Sequence, residues 1–146
     1  MSDSTKTMYV AHDRGARLQA QTEPTSRELQ PNQLLVRMKA VAINPADIKM
    51  IDQGHRVNEW PIVPGLDGAG TVEAVGAEVS HFAKGDEVLA QFTPGPAAQG
   101  GGSFQTLAAV QEMMVAKKPE ELSWEDAASI PCASSIVVYS RVLTSL

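Results

Sequence analysis

Hydrophobic positions along the chain fall in short runs with a period near two, broken by glycine, proline and small polar residues. Met8-Tyr9-Val10-Ala11 is the first such run and predicts a short strand. Residues 22–33, with Pro24 and Pro31, predict a connecting loop. Over residues 34–43 Val36, Met38 and Ala40 alternate with Arg37 and Lys39, which predicts a long central strand with one wet face. The text then changes character. Asn44-Pro45-Ala46-Asp47 carries helix-start chemistry: Asn as N-cap, Pro at the first helical position where its missing N–H costs nothing, and a carboxylate near the positive helix end. A short helix through residues 50–53 follows, stopped by Gly54.

From Gly68 onward the pattern is strand-like again: residues 70–76, a turn, residues 84–90, and a further alternating run at 103–108. The Pro/Gly/Ala segment at 94–102 is expected to be a mobile loop. Ser123, with Asp126 three residues on, opens a second helix that ends near Pro131. Residues 134–146 read as a helix whose Ile136, Val137, Val138, Tyr139, Val142, Leu143 and Leu146 leave little polar face. Such a helix needs burial on more than one side, by its own domain, a second copy or a separate chain. The pattern as a whole predicts a mainly β domain with a few short helices.

Composition narrows the function classes. With 146 residues, 43% of them hydrophobic and 20% charged, the chain is long enough for one domain with a real core. Net charge is −5 and the basic residues are scattered, so no electropositive stripe is available for a phosphate backbone, and nucleic acid is not an expected partner. The single Cys132 forms no internal disulfide, and no apolar run approaches the roughly 20 residues of a membrane span. The polar start has neither part of a signal peptide, which predicts a cytoplasmic protein.

Five motifs occur in order between residues 40 and 131: Asn-Pro-x-Asp-x-Lys, Pro-Gly-x-Asp-x-x-Gly-x-Val-x-x-Val-Gly, Gly-Asp-x-Val, Gly-Gly-x-Phe, and Leu-Ser-x-Glu-x-Ala-Ala-x-x-Pro. Together they resemble the first half of the medium-chain dehydrogenase/reductase superfamily. The Ile-Asn-Pro-x-Asp-x-Lys-Met string at residues 43–50 points to the zinc-independent quinone and enoyl reductase branch, most of all the fungal enoyl reductases that act in trans with polyketide synthases. The resemblance implies a GroES-like irregular β-barrel over residues 7–131, after a disordered start at 1–6. It further implies that residues 132–146 are a linking helix leading towards a doubly wound NADPH domain that residues 1–146 do not contain.

Zinc-dependent relatives resemble this chain in layout but place Cys where Asn44 stands and a His-Glu pair where Leu66 and Asp67 stand. An amide and an aliphatic side chain do not replace a thiolate and an imidazole, so no metal site is expected. Cys132 falls near the third ligand position, and His12, His55 and His81 lack ligand spacing. The glycines at 65, 68, 70 and 76 do not have dinucleotide-binding spacing and run into a strand, so barrel turns account for them.

Candidate site residues follow from the resemblance. Lys49 is the candidate catalytic group, an ammonium that could polarise a thioester carbonyl or donate a proton after hydride addition, with a solvated surface lysine as the competing reading. Asn44, beyond its cap role, is the candidate contact to the nicotinamide ribose. Asp47, Trp60 and Phe92 are assigned to a substrate pocket, with helix capping for Asp47 and core packing for the two aromatics as the competing readings. Where the family runs to a Thr-Ala pair after Pro131, this chain has Ile136, and Ser134 or Ser135 would have to substitute.

The implied activity is NADPH-dependent reduction of an enone or enoyl thioester C=C bond in polyketide-type secondary metabolism, with a hydrophobic small-molecule substrate. No cofactor is expected to bind these residues alone, and hydride transfer would need a nucleotide-binding unit, supplied by a partner chain or polyketide synthase assembly. A homodimer through the last helix is the other expected assembly. The alternative function is a cofactor-independent cyclase, isomerase or ligand-binding module that uses the barrel cleft for a polyketide-like ligand.

Overall fold

A computed structural model describes residues 5–25 and 28–134. Its elements are β1 (Thr5–Val10), β2 (Gln19–Pro24), β3 (Gln33–Ala42), α1 (Pro45–Gln53), β4 (Ile62–Val63), β5 (Asp67–Val75), β6 (Glu87–Gln91), β7 (Gly95–Pro96), β8 (Leu107–Gln111), β9 (Val115–Lys117) and α2 (Trp124–Ala128). A further helical turn occupies residues 131–134. The protein is mainly β with short helices, as the pattern predicts.

One five-stranded sheet, in the order β8-β3-β5-β6-β9, carries the core. Two small sheets, β1-β2 and β4-β7, close around it, and every pairing is antiparallel. Isolated bridges from Met8 to Gln105 and from Ala11 to Ile62 tie β1 to both later segments. Alternate residues of three strands point inwards: Leu34 and Val36 from β3, Val88 and Ala90 from β6, Ala108 and Val110 from β8. With Val72 and Phe92 they form the largest buried cluster, which is why a period of two was legible in the sequence.

Four expectations need correction. Thr5 and Lys6, assigned to a disordered start, are strand residues, and Lys6 is 9% exposed with its ammonium 3.1 Å from both Glu23 and Gln105. Part of the predicted loop at 22–33 belongs to β2, whose six residues are all exposed and so show no apolar alternation; the strand exists because its backbone pairs with β1. Val36, Met38 and Ala40 do not share one face. A register shift between Met38 and Ala40 leaves Met38 against the barrel core and turns Ala40 towards α2, where it packs with Ala69, Ala127 and Ala128. The 94–102 segment, expected to be a loop, contains β7 and a 3-10 turn, and its Gly102 N–H donates to Val63 O at 2.8 Å.

Both helix starts form where predicted. Ser123 Oγ accepts from Asp126 N–H at 3.0 Å, and Gly54 takes the left-handed conformation (φ 67°) that ends α1. The apolar helix expected over 134–146 lies outside the described residues except for Ser134. No described helix is long and apolar enough to cross a membrane. Because Phe92 is 2% exposed within the largest cluster, Phe92→Ala should lower unfolding stability by about 3–5 kcal/mol, read as a shifted urea midpoint. A loss below ~1 kcal/mol would mean that the cluster is not the core.

Candidate functional site

The central strand β3 leaves the barrel at Ala42, and the chain turns through Ile43 and Asn44 into α1. Asn44 and Asp47 form a capping box, in which Asp47 Oδ2 accepts the Asn44 N–H at 2.7 Å. The helix has three kinds of face. Met50 and Ile51 pack inwards with Val57, Trp60 and Ile62; Asp47 is wholly buried; Ile48 and Lys49 face solvent.

Asp47 lies beneath the helix start rather than in an open pocket. Its Oδ1 accepts the Gly65 N–H at 3.1 Å, which fixes α1 against the segment between β4 and β5. Gly65 is required there by its left-handed backbone (φ 104°), and a side chain would collide with Ser103 and Phe104. Asp67, the first residue of β5, is 1% exposed and accepts Asn44 Nδ2–H at 3.0 Å through Oδ2 and Cys132 N–H at 2.8 Å through Oδ1. Ser103 Oγ donates to the Asp67 carbonyl at 2.8 Å. The fold thus gathers Asn44 and Asp47 of one helix start with Asp67 and Cys132, from three places in the sequence.

Burial pushes both carboxyls above their ordinary value, because ionisation in a dry site costs more than in water; hydrogen bonds from Asn44 and from backbone amides pull in the opposite direction. The charge of Asp47 raises Asp67 further. The Cys132 thiol is raised by burial and then by the negative charge of Asp67 and Asp47, so it stays protonated at neutral pH. The positions that hold zinc ligands in related layouts therefore contain an amide nitrogen acting as donor, Leu66, a carboxylate committed to two N–H groups, and a protonated thiol. Among the described residues no three His, Cys, Asp or Glu side chains gather as a metal site.

Lys49 is exposed, and no ion pair among the described residues includes it. Beside the helix start lies an apolar groove of about 340 Å³, bounded by Tyr9, Leu18, Met38, Val41, Ile43 and Phe104. Ile43 is 70% exposed. The pocket assignment of Phe92 is wrong, since it is sealed in the barrel core. Asp47, with no exposed surface, does not line a pocket either. Trp60 is half-buried and packs on the inner face of α1.

The alcohol dehydrogenase GroES-like domain family matches residues 30–120. The chain belongs to that family. Curated relatives of this GroES-like domain include a zinc-type alcohol dehydrogenase-like protein of Schizosaccharomyces pombe, 33% identical over 144 residues, covering 86% of this chain and 42% of the relative. The enoyl reductase component of the lovastatin nonaketide synthase of Aspergillus terreus is 41% identical over 116 residues, covering 79% of this chain and 31% of its own length. Among solved structures, a quinone oxidoreductase of Pseudomonas syringae pv. Tomato superposes with a TM-score of 0.78 at 26% identity, covering 92% of this chain and 40% of that one. The GroES-like domain thus spans less than half of each of these relatives.

Sequence reasoning missed Asp67 as an organiser of the site, weighing it only as a lost metal position. The available signal was an acid placed between Leu66 and the glycine-rich start of a strand, where it has to be buried and therefore bonded. A linkage test follows from the raised carboxyls. Each binds its proton more tightly in the folded GroES-like domain, so its contribution to stability is full below the ordinary value of 3.8 and is lost as pH rises through the raised native value. The stability of the wild type minus that of the always-neutral Asp47→Asn variant, from urea midpoints, should fall with rising pH across that window. A rising difference would contradict burial as the dominant cause.

Proposed function

We propose that this GroES-like domain is the substrate-side half of an NADPH-dependent reductase of enones or enoyl thioesters, with a hydrophobic, polyketide-like substrate. The observation that carries the reading is an unpaired, exposed Lys49 on the helix that starts beside an apolar groove, with Asn44 held rigidly at the helix start. The names of relatives support the chemistry: besides the Aspergillus enoyl reductase component, they include an NADPH-dependent alkenal/one oxidoreductase of Arabidopsis thaliana, 36% identical over 111 residues.

NADPH, when bound, supplies the hydride. The described residues fit only its nicotinamide end: all strand pairings are antiparallel, and the glycines at 65, 68 and 70 sit in close backbone packing, so no parallel βαβ cradle for the pyrophosphate is formed. Asn44 is half-buried at the surface of the helix start, where its amide donates to Asp67, and in this reading it is the contact to a ribose or substrate oxygen. In this reading Lys49, exposed on α1 and not itself part of the groove lining, supplies the cation for charge developing on the substrate carbonyl and the proton for the carbon next to it. The groove accepts the apolar tail and excludes water from it, and its volume lies within the ~300–1,000 Å³ of small-ligand sites. In this reading the nucleotide-binding unit is supplied from outside the described residues.

The apolar groove also favours a second reading, a cofactor-free isomerase, cyclase or ligand-binding module. Tryptophan fluorescence should report binding of an apolar enoyl thioester to this chain alone. With a nucleotide-binding unit supplied, NADPH oxidation should fall by about 100-fold or more in Lys49→Ala. Unchanged turnover in that variant would remove Lys49 from the chemistry, and product formation without NADPH would favour the second reading.

A further inference from the structure

Asn44 is clamped by two buried acids at once. Asp47 takes its backbone N–H at 2.7 Å, and Asp67 takes its side-chain Nδ2–H at 3.0 Å. Both acids are at most 1% exposed, and no ion pair among the described residues includes either. An ionised carboxylate only accepts hydrogen bonds, so the Asn44 amide must present its nitrogen to Asp67; a flip would set carbonyl oxygen against carboxylate oxygen. The other Asp67 oxygen accepts the Cys132 N–H, 2.8 Å away, in the helical turn at 131–134.

We propose that Asp67 is a positioning residue for Asn44: one carboxylate fixes the orientation of the Asn44 amide and joins it to the helical turn at 131–134. Displacement of that turn is then felt at Asn44, and a ligand that moves the Asn44 amide is felt by the turn, through one shared side chain. The catalytic meaning of the clamp rests on the reading above that Asn44 faces the nicotinamide; its physical content is independent of any ligand.

The titratable groups facing Asp67 are few. Asp47 approaches from α1 and the Cys132 thiol from the last helical turn. The neighbouring strands oppose it with uncharged Ala42 of β3 and Gln91 of β6; α2 packs on β5 through Ala127 and Ala128, and Ser103 contributes only a hydroxyl. Protonation of Asp67 therefore reaches both of its N–H partners, Asn44 and Cys132. The acceptor of the Asn44 amide becomes neutral, and the charge-assisted bond weakens.

The test is a pH titration of the 15N-labelled chain by NMR, following the Asn44 side-chain amide and the Cys132 backbone N–H. Both resonances should move with a common midpoint above the ordinary carboxylate value, and Asn44 amide exchange, corrected for its intrinsic pH dependence, should speed up about tenfold or more below that midpoint. In Asp67→Asn, whose single acceptor serves only one of the two N–H groups, the Cys132 response should vanish and Asn44 should lose the midpoint it shares with Cys132, keeping only what Asp47 imposes on it, while Gly65 N–H, bonded to Asp47, still titrates. Separate midpoints for Asn44 and Cys132, or an Asn44 amide indifferent to acid in the wild type, would overturn the proposal. The wild-type titration needs no variant to fold and no NADPH, so its failure is distinct from a failure of the reductase reading.

Discussion

Two buried carboxylates with no cation paired to them among the described residues are the constraint around which this domain is arranged. An ionised acid removed from water is costly unless N–H groups replace its hydration. Here they come from separate parts of the chain: Asn44 through backbone and side chain, Gly65 and Leu66 through backbone, and Cys132 from the far end. Satisfying Asp47 and Asp67 therefore fixes the start of α1, the bend between β4 and β5, and the turn at 131–134 relative to one another. The barrel core supplies cohesion, whereas this polar knot supplies the address of the site.

The same arrangement explains why the site sits at the end of β3. Partnered by β8 through Arg37 and by β5 along nearly its whole length, the strand shifts register against β5 at Leu35–Val36 and again at Met38–Ala40, and the second shift re-aims its last residues. Beyond the shift, Ala40 packs under α2, while Val41 and Ile43 open onto the apolar groove. A straight strand would have kept one set of side chains inside the barrel. The irregularity converts the end of a core strand into a surface that a ligand can reach.

How far the sequence revealed this depends on whether each element writes its own signal. The start of α1 was legible because Asn, Pro and Asp each act through local backbone chemistry, and the alternation of β3, β6 and β8 was legible because one face of each is dry. β2 left no trace, since Gln19–Pro24 is held by pairing with β1 and buries nothing. The β3 shift arises from how two strands meet, which no single run of residues encodes. Phe92 was misplaced because an aromatic before a Pro/Gly segment looks the same whether it faces a pocket or a core. Asp67 was undervalued because its partners lie 23 and 65 residues away in sequence.

The protonated state of Cys132 bears on chemical self-protection. Alkenes conjugated to a carbonyl, the compounds named in the alkenal/one relative, alkylate cysteine through the thiolate. Asp67 and Asp47 hold negative charge close to this sulfur and so oppose formation of the nucleophile. The acids that organise the helix start also make the neighbouring thiol a poor nucleophile towards electrophiles.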